Sequence, residues 1–190
     1  MHLSKPRISP VHETNWTEEQ YKVLSVFAER KQLFNIYTTL AHNPDALKSF
    51  LSWGSFVLRR TSLSGRDREL IILRVGYLCR SGYEWAQHRR LGLREGLSSA
   101  EIEEIKIGPK ARSWNENDKI LLQATDELHR DQFISDSTWE ALAEILIQTQ
   151  CMDLVFIVGH YTQVCMMLNS FGVQLDEGLS LDKDLNHVKE

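Results

Sequence analysis

Helix-start signals recur along the chain, whereas runs that alternate apolar and polar residues, as half-buried strands do, are absent. Ser or Thr is followed at the third position by Glu or Gln in TEEQ (17–20), SSAE (98–101) and STWE (137–140), the pattern of a capping box. SGRD (64–67) and NEND (115–118) place a capping side chain before an acidic first turn. The sequence therefore predicts an all-α helical bundle, with helices near 17–30, 33–42, 45–60, 66–80, 83–95, 99–106, 116–130, 137–147 and 151–172.

Two of the predicted helices are apolar on nearly every face. They contain the segments RELIILRVGYLC (68–79) and CMDLVFIVGHYTQVCMMLNSF (151–171). Helices of this kind lie at the centre of a bundle or in a subunit interface. Beyond residue 15 prolines occur only at Pro44 and Pro109, where predicted helices begin or end.

The chain is predicted to form one domain with two extensions. Residues 1–15 carry two prolines and no periodicity, so we expect an N-terminal arm. Residues 16–178 hold the predicted helices without a linker, and a chain of 190 residues is long enough to bury a substantial core. The polar stretch 179–190 predicts a peripheral tail.

Composition and charge exclude several classes of partner. Hydrophobic residues make up 42% and charged residues 25% of the chain, as in an ordinary globular protein. A net charge of −4 and the lack of a basic stripe give no support to nucleic-acid binding. The N-terminal segment has no apolar core, so no signal peptide is predicted. The longest apolar run, LVFIVG (154–159), is too short for a membrane span.

The cysteines Cys79, Cys151 and Cys165 form no CxxC pair and no zinc-like cluster. An odd number of cysteines without a secretion signal indicates reduced thiols and a cytoplasmic protein. Cys151 and Cys165 lie in apolar helix patterns, where cysteine acts as a small hydrophobic residue.

Glu84 and His88 are the first candidates for catalysis, because residues four apart project from the same face of a helix. A carboxylate beside an imidazole can move protons near neutral pH. Glu69 begins the neighbouring apolar helix, and the short RSG turn predicts that the two helices pack as a hairpin. The alternative for Glu84 and His88 is a solvent-facing helix pair, and Glu69 could equally pair with Arg66 or Arg68.

The remaining candidates each have a structural alternative. Tyr83 could donate a hydrogen bond to a substrate oxyanion and Trp85 could wall a pocket, although aromatic residues at helix starts usually pack. Arg74, inside an apolar helix, needs an anionic partner, which is either an internal carboxylate such as Asp67 or Glu69 or a substrate carboxylate. His160 could be a third metal ligand beside Glu84 and His88, but a hydrogen-bonded core histidine is the favoured interpretation.

Residues 66–105, RDRELIILRVGYLCRSGYEWAQHRRLGLREGLSSAEIEEI, resemble the carboxymuconolactone decarboxylase family, which includes the alkylhydroperoxidase-D-like proteins. The resemblance extends more loosely through 116–130 and 151–173. It implies an all-α protein that assembles as a homo-oligomer, a trimer or a hexamer. It also implies a small organic acid as substrate and no metal or organic cofactor.

The two branches of the family suggest different chemistry. The peroxidase branch carries a glutamate, a CxxC pair and a histidine; Glu69 and His88 match the outer two, but Ser81 and Glu84 stand at the cysteine positions. Since Cys79 is out of register and no partner is expected nearby, thiol chemistry is not predicted. The decarboxylase branch carries glutamate and histidine at the spacing of Glu84 and His88, and it acts on small cyclic or unsaturated acids.

The sequence therefore predicts a cofactor-independent lyase that acts on a small organic acid or lactone. His88, Glu84 and Glu69 are its expected catalytic residues, and Tyr83, Arg74 and Trp85 are expected to bind the substrate. Two alternatives remain, an alkylhydroperoxidase-like antioxidant enzyme and a non-catalytic oligomeric binding protein.

Overall fold

The computed structural model describes residues 1–187 of the chain. Within that range it contains nine α-helices and no strand, so the predicted all-α fold is confirmed. The last three residues of the predicted tail, 188–190, lie outside the described residues. The helices are α1 (Glu18–Glu29), α2 (Asn35–Leu40), α3 (Pro44–Arg59), α4 (Gly65–Leu78), α5 (Gly82–Arg94), α6 (Ser99–Ile107), α7 (Glu116–Asp131), α8 (Asp136–Ile145) and α9 (Gln148–Phe171).

Helix α4 is the centre of the bundle. It packs against α5, α6, α7 and α9, which together cover it on all sides. The segment from Leu70 to Val75 is buried completely except for a small part of Arg74. The apolar pattern of 68–79 predicted this central position, because such a helix can be stable only when every face is covered.

Helix α9 is the second apolar helix and runs along α4, α3 and α7. Its 24 residues are long and apolar enough to cross a membrane, but 56% of that apolar window is buried against the rest of the fold. A core helix has the same length and composition. The exposed part of α9 carries apolar side chains, with Met152 at 49% and Met166 at 63% exposed.

The capping side chains begin most helices where the sequence predicts. Thr17 and Ser98 form capping boxes with Gln20 and Glu101, and Ser64 caps the N-terminus of α4. The predicted box at 137–140 is wrong. Helix α8 begins two residues earlier, because the hydroxyl of Ser135 accepts the hydrogen bond from the backbone N–H of Thr138.

Ser135 and Ser137 therefore provide a direct test of the α8 cap. We expect Ser135→Ala to lower the free energy of unfolding by about 1 kcal/mol, because the N–H of Thr138 loses its acceptor. Ser137→Ala is the matched control and should change it by less than about 0.5 kcal/mol, since Ser137 is exposed. Urea denaturation of both variants measures the difference, and equal losses would contradict the cap at Ser135.

The tail is not peripheral as the sequence predicts. Leu185, in a short 3-10 turn, is 1% exposed and belongs to the main apolar core. The arm is also fixed to the bundle, because the N–H of Arg7 donates to the carbonyl of Phe171 and that of Val11 donates to the carbonyl of Thr38. Backbone hydrogen bonds and single apolar residues hold the arm and the tail against the bundle. The polar composition of these two segments therefore did not predict that they are fixed.

Candidate active site

His88 lies between two carboxylates in the interior of the hairpin formed by α4 and α5. Its Nδ1 is 2.7 Å from Oε2 of Glu69 on α4, and its Nε2 is 2.9 Å from Oε1 of Glu84 on α5. The three residues are 7%, 1% and 3% exposed, respectively. The structure thus brings Glu69, Glu84 and His88 into one cluster, which we call the acid–base triad.

The close approach of α4 and α5 makes the triad possible. A turn through Arg80, whose φ is +53°, reverses the chain between the helices. Further along α5, Gly92 faces α4, and a Cβ atom at this position would lie 3.1 Å from Cδ1 of Leu73 and 3.0 Å from Cδ1 of Leu97. A side chain there would require these two leucine side chains to shift. The short separation lets Glu69 reach across to the imidazole of His88.

The charges of the carboxylates determine the protonation of His88. Burial alone would lower its pKa, but the negative charges of Glu84 and Glu69 outweigh burial and raise the pKa of His88 to about 10. The imidazole is therefore an imidazolium at neutral pH. It can give up a proton to a reacting atom rather than accept one.

Arg68 supplies the second positive charge near the triad. Its Nε lies 3.6 Å from Oε1 of Glu69, and its side chain is mostly buried. The two carboxylates are thereby faced by two cations, as a buried charge cluster requires. The sequence left Arg66 and Arg68 open as partners of Glu69. Arg66 instead pairs with Asp118 and Glu101.

Tyr161 and His160 complete the wall of the triad from α9. The ring of Tyr161 meets His88 edge-on at a centroid distance of 5.0 Å and His160 at 5.2 Å. Burial lowers the pKa of His160, and the charge of His88 adds to the effect despite the opposing charge of Glu84. His160 is a core histidine, as favoured by the sequence, but its Nδ1 has no hydrogen-bond partner.

The three predicted substrate-binding residues point to other parts of the fold. The hydroxyl of Tyr83 donates to Oδ2 of Asp176 at 2.5 Å. Trp85 is 1% exposed and packs beside Tyr77, with Nζ of Lys106 5.5 Å from its ring centroid. Both side chains therefore have structural partners, and their role in substrate binding stays a prediction.

Arg74 has an internal partner, but not one of those that the sequence suggested. Its guanidinium donates to both oxygens of Asp126 on α7, at 2.6 and 2.8 Å, and to the carbonyls of Ile105 and Lys106. Gly108, with φ at +83°, allows this contact, because a Cβ there would lie against the guanidinium. Arg74 is thus held between α4, α6 and α7.

The thiols are arranged differently from the prediction. Cys79 was expected to have no cysteine near it, but Cys165 on α9 lies close enough to lower the pKa of the Cys79 thiol. Cys79 and Cys165 are 86 positions apart, so their proximity depends on the packing of α4 against α9. Cys151 and Cys165 are buried and packed in the core as expected.

Three surface depressions of the described chain lie beside Trp16 on α1, beside Tyr83 under the arm and beside Trp53 on α3. None of them is lined by a residue of the triad. Among residues 1–187, no three or more His, Cys, Asp or Glu side chains are placed as ligands of one metal ion. What the triad can do by itself is hold a proton and transfer it.

Comparisons with known proteins concern the fold and the segment that carries the triad. The model of the carboxymuconolactone decarboxylase family matches residues 44–107, about a third of the chain, and this stretch contains the whole triad. A search of the curated proteins gives no match.

Solved structures of similar fold cover more of the chain. A peroxidase-related protein from Silicibacter sp. TM1040 has a TM-score of 0.78 at 14% identity, over 92% of this chain and 96% of that one. The debrominase Bmp8 with bound 2,3,4-tribromopyrrole has a TM-score of 0.75 at 10% identity, over 92% and 94%. A protein from Agrobacterium tumefaciens described as an AhpD antioxidant defence candidate has a TM-score of 0.68 at 18% identity, over 72% and 94%.

At these identities the solved structures show the fold, and the family match covers the hairpin that carries the triad. Residues 44–107 therefore match the model of the carboxymuconolactone decarboxylase family, and the chain as a whole has the helical fold of the AhpD-like and peroxidase-related proteins.

Proposed function

We propose that this chain is a cofactor-independent lyase that acts on a small organic acid or lactone by proton transfer at the triad. The observation that carries the proposal is the position of His88, an imidazolium held between two buried carboxylates. Buried titratable groups with strongly shifted pKa values are typical of catalytic sites.

The two sides of the imidazole have different roles. Nδ1 and Oε2 of Glu69 form an aligned hydrogen bond of 2.7 Å, which fixes the orientation of the ring. Nε2 approaches Oε1 of Glu84 to 2.9 Å, but this oxygen has no aligned hydrogen bond. Nε2 of His88 and Oε1 of Glu84 are therefore the atoms that can exchange a proton with a reactant.

This arrangement suits a decarboxylation. Loss of CO2 leaves an electron pair on carbon, as a carbanion or an enolate, and the carbon must then be protonated. The Nε2–H of His88 supplies that proton, and Glu84 and Glu69 stabilise the imidazolium beforehand. Glu69 is a positioning residue in this mechanism, because it acts through the ring of His88.

Assembly and location belong to the same proposal. We expect a cytoplasmic homo-oligomer, a trimer or a hexamer, without nucleic-acid or membrane partners. The apolar side chains that α9 and α3 expose, among them Met166 at 63% and Trp53 at 42%, support a subunit interface. In such an assembly the reactant reaches the triad at or near the interface.

A screen of lactone carboxylates and small unsaturated acids tests the activity, and the release of CO2 is the measured quantity. On a substrate found in this way, Glu84→Gln should lower kcat/KM by about 10²- to 10⁴-fold, because the carboxylate that shares the proton is lost. Glu116→Gln is the matched control, since Glu116 is exposed and forms a surface ion pair with Lys119. Full turnover by both Glu84→Gln and His88→Gln, measured on folded protein, would contradict the site.

A second candidate function is that of a non-catalytic oligomeric binding protein. The observation that favours it is the burial of the triad, which none of the three surface depressions reaches. In that case His88 and its two carboxylates hold α4 and α5 together without reacting. The screen for CO2 release separates the two candidates: a catalytic triad turns over a substrate that the Glu84→Gln chain does not, whereas a purely structural triad leaves every acid of the screen unchanged.

A further inference from the structure

The surface depression beside Trp16 is built by the end of the N-terminal arm and one face of α1. Its volume is about 360 Å³, and the charged and aromatic side chains that line it are Glu13, Trp16, Tyr21 and Glu29. Small-molecule sites in proteins have volumes of about 300–1,000 Å³. The depression is therefore large enough for a small organic ligand, and it is separate from the acid–base triad.

Local structure fixes the lining residues in place. The short 3-10 turn Glu13–Asn15 lies directly before α1 and sets one side of the depression. Tyr21 and Glu29 are eight positions apart on α1, so they lie on the same helix face about two turns from one another. Trp16 packs against the apolar cluster that contains Leu24, which anchors the indole ring at the border of the depression.

Two aromatic rings form a corner within the depression. The rings of Trp16 and Tyr21 have centroids 6.4 Å apart and planes inclined at 61°. Tyr21 is 59% exposed, so most of its ring is not used in packing the fold. The face of an aromatic ring carries negative charge density and attracts a cation within about 6 Å of its centre, most strongly for Trp. A cation in this corner is close to two such faces.

The charged side chains of the depression have a single sign. Glu13 and Glu29 are both exposed, and no Lys or Arg of the described chain lines the depression with them. The nearest basic residue on this part of α1, Lys22, is paired with Glu18, with its Nζ 2.8 Å from Oε1. The depression therefore attracts cations and repels anions.

We propose that this depression binds a small organic ammonium ion of the quaternary or methylated amine class. The ammonium group lies in the corner between the rings of Trp16 and Tyr21, and the carboxylates of Glu13 and Glu29 balance its charge. A methylated ammonium suits the corner better than a metal ion, because its apolar methyl groups cover the ring faces and less water has to be removed from the charge. This site does not depend on proton transfer at the triad.

Titration of the full chain with tetramethylammonium chloride tests the site, with the indole N–H signals in nuclear magnetic resonance spectra as the readout. We expect a saturable shift of the Trp16 signal, which is identified by its loss in Trp16→Phe. Sodium chloride at the same ionic strength, and tert-butanol, which has a similar shape without the charge, should not produce this shift.

Variants of Tyr21 test the contribution of the ring. Tyr21→Leu should weaken tetramethylammonium binding about 2- to 5-fold, because the cation loses one exposed ring face. Tyr21→Phe keeps the ring and should bind as the unchanged chain does. Equal losses in both variants would contradict a contact with the ring face.

Variants of the glutamates test the contribution of charge. Glu13→Gln and Glu29→Gln should each weaken binding, whereas Glu19→Gln is the matched control, since Glu19 is exposed on α1 outside the depression. Three outcomes would overturn the proposal: no saturable shift of Trp16 in the unchanged chain, an equal shift with tert-butanol, or binding to phosphatidylcholine vesicles without binding of free tetramethylammonium. The result on the unchanged chain does not depend on the folding of any variant.

Discussion

His88→Gln is expected to lower the free energy of unfolding by about 3–5 kcal/mol at pH 7. Removing the imidazolium leaves Glu69 and Glu84 buried close to one another with Arg68 as their nearest cation. Breaking a buried ion pair by taking away one partner has a cost of this size. Urea denaturation measures it, with His12→Gln as the control, because His12 is exposed and its ring hydrogen-bonds Thr14 on the arm.

The same variant should change how stability depends on pH. The folded chain raises the pKa of His88 from 6.5 to about 10, so the folded state holds a proton that the unfolded chain releases between these values. The stabilisation is fully present below pH 6.5 and is lost as the pH rises through about 10. Urea midpoints between pH 6 and 10 should therefore fall more steeply for the unchanged chain than for His88→Gln. Parallel curves would contradict a charged His88.

Arg74→Leu is the second substitution with a large expected effect. It should lower the free energy of unfolding by about 3–5 kcal/mol. The substitution leaves the carboxylate of Asp126 and the carbonyls of Ile105 and Lys106 without their donor. Arg130→Leu is the control, since Arg130 pairs with Asp131 at the surface and its loss should give no measurable change. Urea denaturation compares the two variants.

A substrate-binding role for Arg74 makes a different prediction. A guanidinium kept for a substrate carboxylate would leave stability nearly unchanged when replaced and would raise KM instead. A loss of stability with KM unchanged in the remaining folded enzyme fits the contacts to Asp126. A stable Arg74→Leu chain would show that these contacts are not needed for folding.

The fold was largely predictable because its signals are local. Thr17, Ser64, Ser98 and Asn115 cap helices as predicted, and each cap involves residues only three positions apart. Ser135 was missed because Ser137 fits the capping-box pattern in sequence. Only the contact of Ser135 with Thr138 and with Glu127 on α7 shows where α8 begins.

The site was predictable only in part, because its contacts join different helices. The spacing of Glu84 and His88 predicts their proximity on one helix. Glu69 was a candidate because it is a carboxylate at the start of an apolar helix, but spacing alone did not predict its distance from His88. The partner of Arg74 and the proximity of Cys79 to Cys165 depend on how α4 packs against α7 and α9. Sequence spacing within one helix carries no information on such packing.

Tyr161 contacts two histidines whose pKa values are shifted in opposite directions. The charges of Glu84 and Glu69 raise the pKa of His88, whereas burial lowers the pKa of His160. His88 therefore keeps its proton around neutral pH, and His160 loses its proton at a lower pH than a free imidazole does. In nuclear magnetic resonance spectra, the imidazole signals of His88 and His160 should therefore titrate in two separate pH ranges.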